Sequence, residues 1–118
     1  MLFNIEFYES ANKRIYVKEF LEALKKTNTD LYDWTLSRIN LIKNSDFHKE
    51  PTSKPLGKGL YELKISFSRD TCRIYWCKGG KRKIYLLFGH IKKGKKKQDK
   101  EIKKARKLLN EIKERKII

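Results

Sequence analysis

An α+β fold is predicted by three features of the sequence. A short alternating segment opens the chain, apolar positions recur at helical spacing through residues 17–42, and the period changes from 3.6 to 2 at Gly59. In the opening segment Leu2, Asn4, Glu6 and Tyr8 alternate with Phe3, Ile5 and Phe7, which predicts a strand. Val17, Phe20, Leu21 and Leu24 then fall on one helical face, and Lys25 and Lys26 suit the negative end of that helix's dipole. Asn28 or Thr29 caps a second helix through Leu31, Tyr32, Trp34, Leu36, Ile39 and Ile42, so the two form a helical hairpin. Residues 45–58 hold Pro51, Pro55 and Gly57 without periodicity and read as a connecting loop.

From Gly59 the residues Tyr61, Leu63, Ile65 and Phe67 alternate with Glu62, Lys64, Ser66 and Ser68, the pattern of a half-buried strand. A turn at Arg69-Asp70 leads to a second strand, Thr71 to Cys77, and Gly79-Gly80 leads to a third, Lys83 to Gly89. The three make an antiparallel meander. Ile102, Ala105, Leu108, Leu109 and Ile112 then mark a C-terminal amphipathic helix. The expected packing places the hairpin and this last helix on one side of the sheet, in one domain spanning residues 1–118.

Composition bounds the function. The 118 residues carry 30 Lys and Arg against 14 Asp and Glu, a net charge of +16, with 39% hydrophobic and 12% aromatic residues to fill a core. Collagen, general disorder and a membrane protein are excluded, and no apolar run approaches the roughly 18 residues a bilayer span needs. A soluble, cytoplasmic protein is expected. Residues 1–77 hold 13 basic and 10 acidic side chains, whereas 78–118 hold 17 and 4. A C-terminal third of that sign attracts polyanions, above all RNA and DNA; the competing reading is a solvated Lys-rich face. Cys72 and Cys77 are too few for a disulfide framework, and their odd spacing on one strand points them to opposite faces as core residues. With His48 and His90 they do not have the close pairs of a zinc site, so neither a metal nor another cofactor is expected.

The meander carries the candidate chemistry. If Leu63, Ile65, Phe67, Ile74 and Trp76 cover the helices, the other sheet face is open and presents Glu62 and Lys64 beside Arg73 and Tyr75, with Lys92 and Lys93 at the rim. Cations interleaved with an aromatic ring suit single-stranded RNA; an ordinary solvated sheet face has the same look.

The segments Gly59-Leu60-Tyr61-Glu62-Leu63-Lys64, Arg73-Ile74-Tyr75, Ile84 to Lys93, and Glu101-Ile102 with Ala105, taken in that order, resemble the HigB-type toxins of the phage-derived Gp49-like group in the RelE superfamily. The resemblance covers nearly the whole chain and implies a RelE-like fold. It also implies a type II toxin: a ribosome-dependent mRNA endonuclease that needs no metal and inhibits translation. Its partners would be the ribosome with its mRNA and a cognate helix-turn-helix antitoxin of the HigA kind, in a heterotetrameric complex. Lys64 and Arg73 match cations that function in the superfamily. Two departures stand out. The family often reads His-Gly-Phe where this chain has Phe88-Gly89-His90, and a Thr-Pro helix start where it has Lys97-Gln98, so His90 is read as a strand-end residue.

For RNA cleavage the 2′-hydroxyl must lose a proton, the phosphorane must be stabilised and the 5′-oxygen must gain a proton. The candidate catalytic set is Glu62 as base, Arg73 as phosphate clamp, Lys64 or Lys92 as cation or acid, and Tyr75 stacking or orienting a base. Arg69, Lys93, Lys95, Lys96 and Lys97 are the candidate RNA and ribosome contacts. Arg73→Ala is expected to leave the fold intact, because a strand side chain on an open face faces solvent. A non-catalytic RNA- or DNA-binding module and a phage structural protein are the alternatives.

Overall fold

Strand β1 (Asn4–Phe7) is followed by α1 (Tyr16–Thr27), α2 (Thr29–Leu41) and a single 3-10 turn at Ser45–Phe47. Then come β2 (Ser53–Gly57), β3 (Leu60–Phe67), β4 (Asp70–Gly79), β5 (Lys83–Lys92) and α3 (Asp99–Glu114). These elements belong to a computed structural model that describes residues 2–92 and 98–118. The strands form one sheet in the order β1-β5-β4-β3-β2, antiparallel except where β1 runs parallel to β5. The α+β class, the helical hairpin, the meander and the C-terminal helix are as the sequence predicts.

One residue makes the hairpin tight. The backbone N–H of Asn28 donates to the Leu24 carbonyl and closes α1, while its side chain accepts from the Leu31 N–H at 3.1 Å and caps α2. Its Nδ2 donates to Asp70 at 2.9 Å, tying the hairpin to the start of β4. Val17, Leu21 and Leu24 of α1 and Leu31 and Ile39 of α2 then bury against Leu63, Ile65, Cys72, Ile74, Trp76, Ile84 and Leu86. Each fully buried side chain of this size contributes about 1.5–3 kcal/mol relative to exposure. Helix α1 lies close on the sheet at Gly89, where a Cβ would meet the Phe20 ring at 2.8 Å.

The expected packing of all helices on one side is wrong. Helix α3 covers the opposite face, where Ala105, Leu108, Leu109 and Ile112 bury Leu60, Tyr75, Cys77 and Leu87. The physical reason lies in β4, whose run Ile74-Tyr75-Trp76-Cys77 is buried throughout, so both faces of this central strand need a cover. Cys72 and Cys77 accordingly lie in the two different cores. Two clamps hold α3 in place. Glu111 accepts from the Tyr8 hydroxyl and from the Ala11 N–H at 2.9 Å, and Arg115 donates to the same hydroxyl and to the Glu9 carbonyl. At the other sheet edge Arg106 donates to the carbonyls of Leu56 and Gly57.

Two further expectations change. Residues 53–57, read as loop, form edge strand β2, which tolerates Pro55 because an edge position leaves one side of the backbone unpaired. Strand β5 runs to Lys92 rather than Gly89, and it carries a bulge. Trp76 pairs with Leu86 but Tyr75 pairs with Phe88, so Leu87 is an extra residue. Before the bulge Ile84 and Leu86 face the hairpin; after it Gly89 and Ile91 do. The even-numbered residues Phe88, His90 and Lys92 are thereby turned toward the α3 side. Among the described residues, no helix is long and apolar enough to cross a membrane.

His48 is buried between Phe3 and Trp76, with ring centroids 4.9 Å from each. Its Nε2 donates to the Ile42 carbonyl at 2.6 Å, and Nδ1 has no partner among the described residues. Burial, reinforced by Lys78, holds its pKa below the ordinary histidine value, so the folded state keeps the ring neutral. The unfolded chain therefore binds more protons just below pH 6.5, and this contribution is present above that pH and lost as pH falls through it. The melting temperature is expected to drop between pH 7 and pH 5, and His48→Phe to flatten the drop. Calorimetry of both proteins over that range measures it; equal pH slopes would show that His48 plays no part.

Candidate active site on the uncovered end of the sheet

Helix α3 covers only part of its sheet face, and from its edge outward the strands carry three cross-strand rows that run from buried to exposed. The registers align Glu62, Tyr75 and Phe88 in one row, Lys64, Arg73 and His90 in the next, and Ser66, Thr71 and Lys92 in the last. Lys54 of β2 extends the first row opposite Glu62. Side chains in such rows are near neighbours on one rigid surface, which positions functional groups better than a loop does.

Two contacts organise the rows. Arg73 Nη1 donates to Glu62 in an ion pair whose side chains are only 14% and 5% exposed. Tyr75, fully buried, places its hydroxyl 2.9 Å from His90 Nε2, and the two rings stack at an interplanar angle of 9°. Burial, followed by the nearby Glu62 charge, pushes the Tyr75 phenol far above its usual pKa, so the hydroxyl keeps its proton and donates it to Nε2. The His90 proton then resides on Nδ1, which lies 3.3 Å from the Ile91 carbonyl. Burial lowers the His90 pKa, opposed by the Ile91 carbonyl and by Glu101, and the ring is neutral at pH 7. The central row thus sets a neutral imidazole directly beside a guanidinium.

Two clefts flank this row. One, of about 220 Å³, is lined by Glu50, Thr52, Lys54, Glu62, Lys64 and Arg73. The other, of about 490 Å³, lies on the far side, along Phe88, His90, Lys92, Gln98 and Glu101. Among the described residues no three of His, Cys, Asp and Glu gather as metal ligands would.

Every one of these residues falls inside a match to a family model, that of the phage derived protein Gp49-like, which spans residues 19–110. The chain belongs to this family. A search of the curated proteins finds no match.

For this Gp49-like chain the sheet brings together Glu62, Lys64, Arg73, Tyr75 and Lys92, as expected from the sequence, but changes several roles. Glu62 is buried and engaged by Arg73, which makes it a holder of the guanidinium rather than an open base. Tyr75 has no exposed surface on which a base can stack, and it holds His90 instead. Arg73 is not a free solvent-facing side chain, so Arg73→Ala would strand the Glu62 carboxylate and disturb the fold. Arg69 stands exposed between β3 and β4, outside the three rows. Lys93, Lys95, Lys96 and Lys97 lie outside the described residues. Sequence reasoning missed His90 and Lys54. The bulge at Leu87 reverses the alternation that would have placed His90 on the buried hairpin side, and Lys54 was hidden in an apparent loop.

The buried ion pair has a measurable consequence. Removing one partner of such a pair costs about 3–5 kcal/mol, because the other charge is left uncompensated. Glu62→Ala is expected to lose about 3 kcal/mol in urea unfolding, whereas Lys64→Ala, at an exposed position without an ion pair among the described residues, should stay within about 0.5 kcal/mol of the parent. Comparable losses in the two variants would mean that the Glu62–Arg73 contact contributes nothing to the fold.

Proposed function

We propose that this Gp49-like protein is the toxin of a type II toxin-antitoxin system and acts as a ribosome-dependent mRNA endonuclease. The observation that carries the reading is the central row: a neutral histidine with a fixed tautomer, beside an arginine locked by a buried carboxylate, with Lys64 and Lys54 at the adjoining cleft. Phosphodiester cleavage by an internal 2′-hydroxyl needs these parts. In this mechanism Arg73 and Lys64 take the non-bridging oxygens of the scissile phosphate in the smaller cleft, where charge builds up in the phosphorane. His90 accepts the 2′-proton at Nε2 once the Tyr75 hydroxyl yields that lone pair. The Nδ1 proton stays with the Ile91 carbonyl, and the resulting imidazolium is stabilised by Glu101 and Glu62 nearby. Lys92, at the end of the neighbouring row, then protonates the leaving 5′-oxygen.

Because the base is modest and sits partly behind Tyr75, free RNA should be a poor substrate. The ribosome then supplies the bent mRNA that aligns the 2′-oxygen with phosphorus. The strong net charge, concentrated after residue 77, favours docking on ribosomal RNA. Neutralisation would fall to a helix-turn-helix antitoxin in a heterotetrameric complex. A module that binds RNA without cutting it would have the same cations but no use for a tyrosine-held imidazole.

Induced expression should arrest growth and yield cuts within translated mRNA, mapped by primer extension, and co-expression of the antitoxin should abolish both. His90→Gln and Arg73→Lys should each lower cleavage by about a hundredfold, equivalent to about 3 kcal/mol of transition-state stabilisation, with folding retained. The lysine variant preserves a charge for Glu62 but not the fork that grips two phosphate oxygens. With His90 acting as a base of lowered pKa, the rate should hold from pH 8 to 7 and fall below pH 6.5. Undiminished cleavage by the His90→Gln, Arg73→Lys double variant would remove this row as the active site.

A further inference from the structure

The larger cleft has a composition that phosphate chemistry does not explain. Phe88 supplies a partly exposed aromatic ring, set against the Tyr16 ring at 5.7 Å and the His90 ring at 6.4 Å. Lys92 and Lys100 stand at the margin. The remaining polar groups are acceptors. Glu101, on the first turn of α3, is half-buried and makes neither an ion pair nor a side-chain hydrogen bond among the described residues. The side-chain oxygen of Gln98, one turn earlier, is buried and also lacks a partner among the described residues. Among the described residues, both acceptors thus keep capacity for a ligand's donors.

An aromatic face, marginal cations and a pair of acceptors without a protein donor among the described residues together describe a nucleotide whose base edge is rich in N–H groups. Resting on the nuclease reading above, we infer that this cleft seats the base next to the scissile phosphate and that Glu101 selects guanine. Guanine presents N1–H and N2–H side by side, which match the two oxygens of one carboxylate. Adenine and cytosine each offer a single amino group there. Uracil offers one N–H between two carbonyls, and those oxygens face Glu101 and Gln98 unfavourably. Phe88 takes the flat face of any base and so contributes affinity without choice. The position relative to the chemistry is fixed by the row itself, since Phe88, His90 and Lys92 share one face of β5.

The test uses ribosomes programmed with mRNAs in which the nucleotides flanking one cleavage position are varied through all four bases. Wild-type protein should cut at guanine about tenfold or more faster than at uracil on one side of the scissile bond. Glu101→Gln, whose amide both donates and accepts, should compress that ratio to about threefold or less, on top of a slower cut at every base because the His90 imidazolium loses a nearby negative charge. Phe88→Ala should raise KM and leave the base ratio unchanged. Melting curves of both variants establish that they fold. A wild-type ratio near one, or a guanine preference that survives Glu101→Gln, overturns the assignment while leaving the nuclease reading intact. If no mRNA is cut, the nuclease reading fails on its own. Anisotropy of guanine- and uracil-centred pentanucleotides then decides the pocket: a guanine preference lost in Glu101→Gln upholds it, and equal binding refutes it.

Discussion

The structure depends on the double burial of β4 and β5 and on the way that burial ends. Both strands are covered on the hairpin side along most of their length, and on the α3 side only toward one end. Where α3 stops covering, the same strands change from apolar to charged residues on that face: Cys77 and Tyr75 give way to Arg73 and Thr71, and Leu87 to His90 and Lys92. The core and the candidate site are therefore two stretches of one surface. The bulge at Leu87 is what makes them compatible, because it lets β5 give Leu86 to one core and Leu87 to the other and still aim His90 at Arg73.

That arrangement explains how charged groups are held without flexible loops. Arg73 is fixed by Glu62 across β3 and β4, and His90 by Tyr75 across β4 and β5. Each functional side chain thus has a partner in the adjacent row that is more buried than itself. Glu62 and Tyr75 are in contact with the core, and Lys64 and Lys54 stand toward solvent. Such a gradient from structural to exposed groups keeps the geometry rigid while leaving the outer cations free to meet a polyanion.

Helix α3 connects the second core and the candidate site. Its C-terminal half is anchored by Tyr8, Glu111 and Arg115 on one side and by Arg106 at β2 on the other, and its apolar stripe closes the second core. Its N-terminal end brings the N-cap Gln98 and Glu101 to the edge of the rows. Substitutions that loosen the anchors would act on the site through the position of that end, without touching any group in the rows.

The sequence by itself determined the three helices, the hairpin with its turn at Asn28 or Thr29, the meander and the grouping of Glu62, Lys64, Arg73 and Tyr75 on one face. These follow from periods of 3.6 and 2 and from local capping, all of which are properties of neighbouring residues. Tertiary structure alone decided three matters. Helix α3 went to the second face because Tyr75 and Cys77 needed cover, a demand visible only once Ile74 and Trp76 were committed to the first core. Residues 53–57 became a strand because β3 had an unpaired edge to receive them, despite Pro55. His90 entered the central row because one extra residue at Leu87 shifted the alternation, and a bulge is set by the fit between two strands rather than by the composition of either.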